Sequence, residues 1–382
     1  MRYAIVNTTL VMTDHLIPNA VIVIEDGKIA DFGKMGKVDI DGIEAVDAGG
    51  LYTGPGLIDI HAHAANLIRF DRNPYSAAEH ALYHGVTDIM PAMSYSHDAK
   101  TLVKDIRTVK AAMKSGKAPN IIGLYMEGPY LNVNFGAGRV NHPWAPRVAL
   151  ERFREVVDEA ADVTLMWCIA PERENIDEYV DYVKSKCPSA RFSVAHSEAE
   201  PWQIERLIPL GLCNTTHHTN ATGTLQKYPE CRTACVDETA LYNDRMYTEL
   251  ICDKVGIHVE PYILRLTKKI KGDDKIILIS DSTESEGPVS PRGDYSECDD
   301  LNFDFEGEIS GTRFTVDAAC HNMMVHTGAS LTQVFKYAST NPSVMLGLTD
   351  RGRIARGNIA NLISVDHEFN VKAVYLKGEK IR

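Results

Sequence analysis

The chain lacks any apolar run approaching the ~18 residues that a membrane-spanning helix requires. It lacks a basic excess: 40 Lys and Arg stand against 52 Asp and Glu, a formal net charge of -12 at pH 7. That balance argues against nonspecific nucleic-acid binding and against an anionic membrane surface. It leaves room for an anionic small molecule, because a local site can oppose the global charge. The chain also lacks cysteines at paired spacing. Its eight run from Cys168 to Cys320, and the closest two, Cys231 and Cys235, have no second pair to complete a zinc finger. They read as reduced thiols of a cytoplasmic protein, several of them buried. The N-terminal stretch has no apolar core and cleavage site of a signal peptide. No sequence repeat of fixed period is visible, which argues against a solenoid.

What is present is enough chain for a large core, 382 residues with 44% hydrophobic content, and one or two domains. The first ~53 residues alternate as short strands joined by turns such as Glu25-Asp26-Gly27-Lys28, and the last ~30 do the same. Between them, strand and helix patterns alternate. Strands are expected at 57–60, 86–91, 121–126, 163–169, 192–195, 213–216, 257–259 or the residues just before it, and 276–279. The clearest helices are expected at 99–114, 149–161, 176–186, 202–210, 261–270 and 331–339. Eight such strands predict an α/β fold, a (β/α)8 TIM-like barrel over residues 54–352. A small β-sandwich domain built from both termini, 1–53 plus 353–382, would complete the chain.

Polar residues with metal-binding chemistry recur at the ends of the expected strands. His61 and His63 close the run GLIDIHAHAA; residues two apart on a strand share a face, so both imidazoles can reach one ion. Glu127 follows the third strand, His196 the fifth, His217 the sixth and Asp281 the eighth. In a parallel barrel all six project into one mouth. Buried charge needs a partner or a metal. Glu127, His196 and His217 make one site, and His61, His63 and Asp281 can hold a second ion, with Glu127 able to bridge the two. Histidine and carboxylate ligands suit zinc, iron, cobalt or manganese. Asp281 is the candidate general base, able to take a proton from metal-bound water and pass it to a leaving amine; the competing reading is a helix N-cap. His218 points away from His217 and reads as a packing residue or as one that supports a ligand from behind, rather than as a ligand. His15, His80, His84, His97, His321, His326 and His367 have no ligand pattern around them. The fourth-strand run VTLMWCIAPE has no lysine to bridge two metals.

These residues resemble the amidohydrolase superfamily, and within it the N-acetylglucosamine-6-phosphate deacetylase family. The resemblance runs through MEGPYLN at Glu127, HHTNA ending at Ala221, DKVGIHVEP at His258, ISDSTESEG from Asp281, EISGTRFTVD, and NPSVMLGL…RGRIARGNIANLISVD near the C-terminus. It implies the barrel with a small β domain and hydrolysis of the acetamide of an amino-sugar phosphate. A homodimer and one or two divalent ions, zinc or iron, also follow from it. Glu127, His196 and His217 match the family's metal ligands, and Asp281 its catalytic acid/base. Asn220 and Ala221 match contacts to the sugar or its phosphate, and His258 a contact to sugar hydroxyls. Ile309 and Ser310 match a loop that closes over substrate. His61 and His63 match the members that bind two metals.

Two segments depart from the family. Where it places a histidine that polarises the acetyl carbonyl, this chain reads NFGAGRVNHPW, with Arg139 at that position and His142 nearby. Where it places an arginine for the phosphate, Tyr228 stands here, with Lys227 beside it and Arg232 four residues on. Tyrosine does not supply arginine's bidentate fork. The alternative substrates are therefore another N-acyl amino sugar or an N-acyl amino acid. A non-catalytic sugar-binding protein would have lost a ligand or the aspartate, and neither is lost.

Overall fold

The computed structural model describes residues 2–136, 142–284 and 298–382. Eight parallel strands form the central sheet: β1 (Leu57–Ala62), β2 (Val86–Met93), β3 (Leu124–Met126), β4 (Thr164–Ile169), β5 (Phe192–Val194), β6 (Leu212–Thr215), β7 (Tyr247–Ile251) and β8 (Ile276–Ile279). Each pairs with the next in chain order. The ring closes at its C-terminal rim. Asp281 N–H donates to the His61 carbonyl at 2.9 Å, and the N–H groups of His63 and Ala64 donate to the Ser282 carbonyl at 2.9 and 2.8 Å. The barrel expected from the alternation is thus present.

The helices between strands bury one face each. Ala99–Ser115 buries Leu102, Val103, Ile106, Val109 and Ala112, the spacing of a helical stripe. Asp98 caps its first turn by accepting from Thr101 N–H at 2.8 Å, and Gly116 ends it at φ 70°.

Both chain ends enter one further sheet, eight-stranded and separate from the barrel. Arg2–Val11, Leu16–Glu25 and Lys28–Lys34 form an antiparallel meander. Tyr52–Pro55 joins it beside Arg2–Val11 and pairs antiparallel with Leu362–Val365, which pairs in turn with Val371–Leu376. Alternation puts Ile5, Ile22 and Leu362 in one apolar cluster of this sheet and Ala4, Val21 and Val23 in another. Arg351 and Asn361, from the segment leading into the C-terminal strands, both bind the buried Asp88 carboxylate on β2. Sheet and barrel are therefore joined through a charged contact as well as apolar packing.

Three expectations needed adjustment. The seventh strand is Tyr247–Ile251, and residues 257–259 lie in a loop. The helix expected over 202–210 divides into Pro201–Glu205 and a 3₁₀ turn at Ile208–Leu210. The helix expected over 331–339 starts at Leu331, opens into a wide turn at Lys336–Thr340 and continues to Leu346.

Gly54 marks where the terminal sheet meets the barrel's helices. A Cβ there would lie 2.5–2.8 Å from three atoms of the Phe335 ring, which packs on Phe369 at 5.0 Å. Gly54→Ala must displace a rigid ring in a filled core, at a cost of about 1–3 kcal/mol. The expected outcome is a lower denaturant midpoint; an unchanged midpoint would show that the junction has slack.

Candidate functional site

All six residues expected at the strand ends meet at the C-terminal mouth of the barrel. Glu127 Oε1 lies 3.1 Å from His196 Nε2, 3.4 Å from His217 Nε2 and 3.8 Å from His61 Nε2. Its Oε2 lies 3.1 Å from His63 Nε2. Asp281 Oδ1 faces His61 and His63 at 3.5 and 3.6 Å. Residues 281–284 are not helical, so Asp281 is no helix cap. His196, His217 and Asp281 turn off their strands with φ of 41°, 28° and 46°. Left-handed backbone costs a non-glycine residue roughly 1–3 kcal/mol and clusters at functional sites.

The ring nitrogens are oriented from behind. His196 Nδ1–H donates to the Phe135 carbonyl at 3.2 Å, and His217 Nδ1–H to the Asn220 carbonyl at 3.1 Å. A carbonyl only accepts, so each Nε2 is left toward Glu127. His61 Nδ1 lies 3.3 Å from Glu249 Oε2. The sequence reading missed Glu249. Its available signal was one acidic residue inside the apolar run MYTELIC.

Two groups of donors can hold a cation: His61, His63 and Glu127, and Glu127, His196 and His217, with all ligand atoms of each group within 4.8 Å of one another. Ligands at about 2.0–2.1 Å around a tetrahedral ion stand about 3.3–3.4 Å apart, and the spacings above bracket that value. His61 Nε2 is a buried polar atom with no hydrogen-bond partner, as expected of a nitrogen kept for a metal. The electrostatics agree. Burial pushes the Glu127 carboxyl up, but hydrogen bonds from His196, His217 and His63 outweigh it and hold it well below the usual carboxylate range. Burial disfavours a charged His61 ring, yet Asp281, Glu249 and Glu127 draw it up to about 10. The cluster favours positive charge at its centre, and the donor set fits a divalent ion.

The cluster opens into a cavity of about 500 Å³. Asn220, Ala221, His258, Ile309 and Ser310 line its walls. The Asp253 carboxylate shapes the loop before His258. It accepts the backbone N–H groups of Gly256, Ile257 and His258 at 2.6, 2.8 and 2.8 Å and lies 3.3 Å from His258 Nδ1. Burial pushes Asp253 up, but these bonds hold it at about 2. Lys227 is not brought to the cavity. It sits on an exposed hairpin of Gln226–Tyr228 and Cys231–Arg232, 3.4 Å from Glu200. Arg139 lies outside the described residues. His142 does not line the cavity either. It stacks on Tyr95, whose ring meets His196 edge-on, and burial lowers it to about 4. His97 has more company than its sequence surroundings suggested, with Nδ1 2.7 Å from Asp105 and Asp71 within ligand reach. Arg69 Nε donates to both Asp71 oxygens at 3.0 Å, so the Asp71 carboxylate is already paired. His218 is fully buried, as its packing role implied.

The amidohydrolase family profile matches residues 53–381. The chain belongs to the amidohydrolase family. Members of this superfamily are metal-dependent, and this chain is a hydrolase of carbon–nitrogen bonds. Among relatives, this amidohydrolase is 25% identical to an N-acetylglucosamine-6-phosphate deacetylase of Bacillus subtilis (strain 168), over 97% of this chain and 94% of that one. It is 27% identical to an N-acetylgalactosamine-6-phosphate deacetylase of Escherichia coli O157:H7, over 85% and 86%. In structure it is similar to an N-acetylglucosamine-6-phosphate deacetylase of Pasteurella multocida, with TM-score 0.85, 24% identity, and 100% and 99% coverage. It also matches a point mutant of the Mycobacterium smegmatis deacetylase in complex with N-acetyl-D-glucosamine-6-phosphate, with TM-score 0.83 and 21% identity over 100% and 99% of the two chains.

Metal ligands must shed protons to bind. With His61 drawn up to about 10 in the metal-free cluster, the ring is protonated at pH 7–8, and a divalent ion must displace that proton. Affinity therefore rises with pH and falls on acidification. Calorimetric titration of metal-free protein in buffers of different ionisation enthalpy is expected to give release of about one proton or more on filling the site. Loading with no proton release would remove these residues from candidacy.

Proposed function

We propose that this amidohydrolase is a metal-dependent deacetylase that hydrolyses the acetamide of N-acetylglucosamine-6-phosphate to glucosamine-6-phosphate and acetate. The observation that carries the reading is the composition of one cavity. His63, Glu127, His196, His217 and Asp281 form its floor, with His61 buried behind them, and Asn220, Ala221, His258, Ile309 and Ser310 form its walls. Zinc or ferrous iron, as one or two ions, suits the ligand set. The same reading carries a homodimer, a cytoplasmic location and a division of the chain into 1–53 plus 353–382 and 54–352. Support for the dimer is the family resemblance alone.

A divalent ion held by the cluster would acidify water to a pKa of about 7 and polarise the acetyl carbonyl. The chain's own groups do the rest. Asp281 Oδ1 accepts the proton of the attacking water as the new C–O bond forms. It then delivers that proton to the amide nitrogen as the C–N bond breaks, so the amine leaves neutral. Backbone bonds hold Asp281 for both transfers: its N–H to the His61 carbonyl at 2.9 Å, and its own carbonyl to Thr312 N–H at 3.0 Å. With its Nδ1 hydrogen taken by Asp253, His258 keeps Nε2 as an acceptor for a sugar hydroxyl.

One observation favours a second reading, an N-acyl amino sugar without phosphate. Among the described residues, Arg69 is the one Arg or Lys lining the cavity, and Asp71 already binds it. Tyr228, where the family has its phosphate arginine, is 72% exposed.

Acetate release from N-acetylglucosamine-6-phosphate, N-acetylgalactosamine-6-phosphate and N-acetylglucosamine decides between them. The expected result is strong preference for the first. Equal kcat/KM with and without phosphate would favour the second reading, and no release from any would end both. Asp281→Asn is expected to lower kcat about 10²–10⁴-fold.

A further inference from the structure

We propose that Glu249 is a positioning residue that fixes His61 with its hydrogen on Nδ1, frees Nε2 for a metal, and thereby sets whether the cluster holds one ion or two. The proposal rests on the metal reading of His61 and His63, and is independent of which sugar is cleaved.

Glu249 sits in the middle of β7, a strand buried at every position, and is itself 0% exposed. A carboxylate at that depth costs several kcal/mol unless its oxygens are satisfied. Four donors converge on it. Oε1 accepts from Tyr125 OH at 2.9 Å and from Asn214 Nδ2 at 2.5 Å. Oε2 accepts from His217 backbone N–H at 3.3 Å and faces His61 Nδ1 at 3.3 Å. The Asn214 amide and the His217 peptide can only donate, and they occupy one oxygen each. An ionised Glu249 that accepts on both oxygens satisfies all four contacts at once, and this arrangement puts the hydrogen between Glu249 and His61 on the imidazole.

The opposite ring nitrogen is then the ligand. His61 Nε2 is buried without a hydrogen-bond partner and shares one space with His63 and Glu127. The Tyr125 ring stacks on His61 at 4.3 Å and 23°, which opposes rotation of the imidazole. The other cation group needs no such side chain. His196 and His217 are oriented by the carbonyls of Phe135 and Asn220, and any sequence supplies a carbonyl. Only a carboxylate at 249 presents an acceptor to both pairs of donors; a glutamine amide would turn its NH2 toward either His61 and the His217 peptide or Asn214 and Tyr125. The same carboxylate accepts the His217 peptide N–H at 3.3 Å, but the His217 ring itself is held by the Asn220 carbonyl.

The test is metal content of the purified full chain by mass spectrometry after equilibration in zinc buffers, with chelator competition for each site. The expected result is two ions for wild type and one for Glu249→Gln. The weaker site should lose about 10- to 100-fold in affinity, and the tighter one should be unchanged. His61→Asn should match the one-ion pattern. If Glu249→Gln does not fold, ring-nitrogen NMR of histidine-labelled, zinc-loaded wild type still decides. His61 must carry its hydrogen on Nδ1 and zinc on Nε2, with the resonance assigned by its absence in His61→Asn. Glu249→Gln binding two ions at wild-type affinity overturns the proposal, as does equal weakening of both sites or zinc on Nδ1. One ion in wild type overturns it together with the metal reading of His61 and His63. Two ions in wild type without acetate release leave it standing and remove only the substrate.

Discussion

The Glu127 carboxylate faces four imidazole nitrogens from three different rim segments, in a place almost closed to solvent, and the architecture around it serves to keep those groups opposed. Each group alone is costly at that depth. Together they are satisfied only by a cation or by protons in a cation's place. The barrel supplies the geometry because parallel strands in register end on one rim. The rim supplies the fine adjustment: left-handed turns at His196, His217 and Asp281 swing side chains off their strands. The bonds between the His61–Ala64 and Asp281–Ser282 segments lock the first strand to the last. A clasp of peptide groups is stiffer than side-chain contacts, which suits a site whose ligand spacings must hold to a few tenths of an ångström.

The parts of this site that were legible in the sequence share one property: each is a polar residue at the end of an apolar run. His61, Glu127, His196, His217 and Asp281 stand out because hydrophobic strand and polar rim alternate in the chain as they do in space. Glu249 was hidden because it lies inside its strand. It also disguised that strand, since an acidic residue at the centre of Tyr247–Ile251 breaks the apolar run by which a buried parallel strand is recognised. The expected strand falls at 257–259, where Ile257 and Val259 alternate with His258, or at the residues just before it; the observed one is Tyr247–Ile251. The Asp253 carboxylate instead gathers the peptide N–H groups of Gly256, Ile257 and His258 and bends them into a loop. Long-range pairing of this kind has no local signature. The same holds for His97, whose partners Asp71 and Asp105 come from either side of it, and for Lys227, which lay near the right sequence position but is carried away on an exposed hairpin.

Substrate recognition divides between what the chain shares with its family and what it has changed. The walls at Asn220, Ala221, His258 and Ile309–Ser310 keep the expected residues and places. The changed segments, around Arg139 and Tyr228, are those that would contact the carbonyl oxygen and the phosphate. On the proposed function, both changes leave the cluster at the floor intact, while the segment around Arg139 bears on the acetyl carbonyl and the segment around Tyr228 on the choice among amino sugars.

The terminal sheet has a consequence for biosynthesis. Tyr52–Pro55 finds its partner in Leu362–Val365, which leaves the ribosome roughly 300 residues later, a delay of roughly 15–60 s at ordinary elongation rates. Throughout that interval the edge of Tyr52–Pro55 stands open, a template for wrong pairing. The first barrel strand, with His61 and His63, hangs directly from it. The last tenth of the chain therefore completes the sheet from which the strand bearing His61 and His63 hangs.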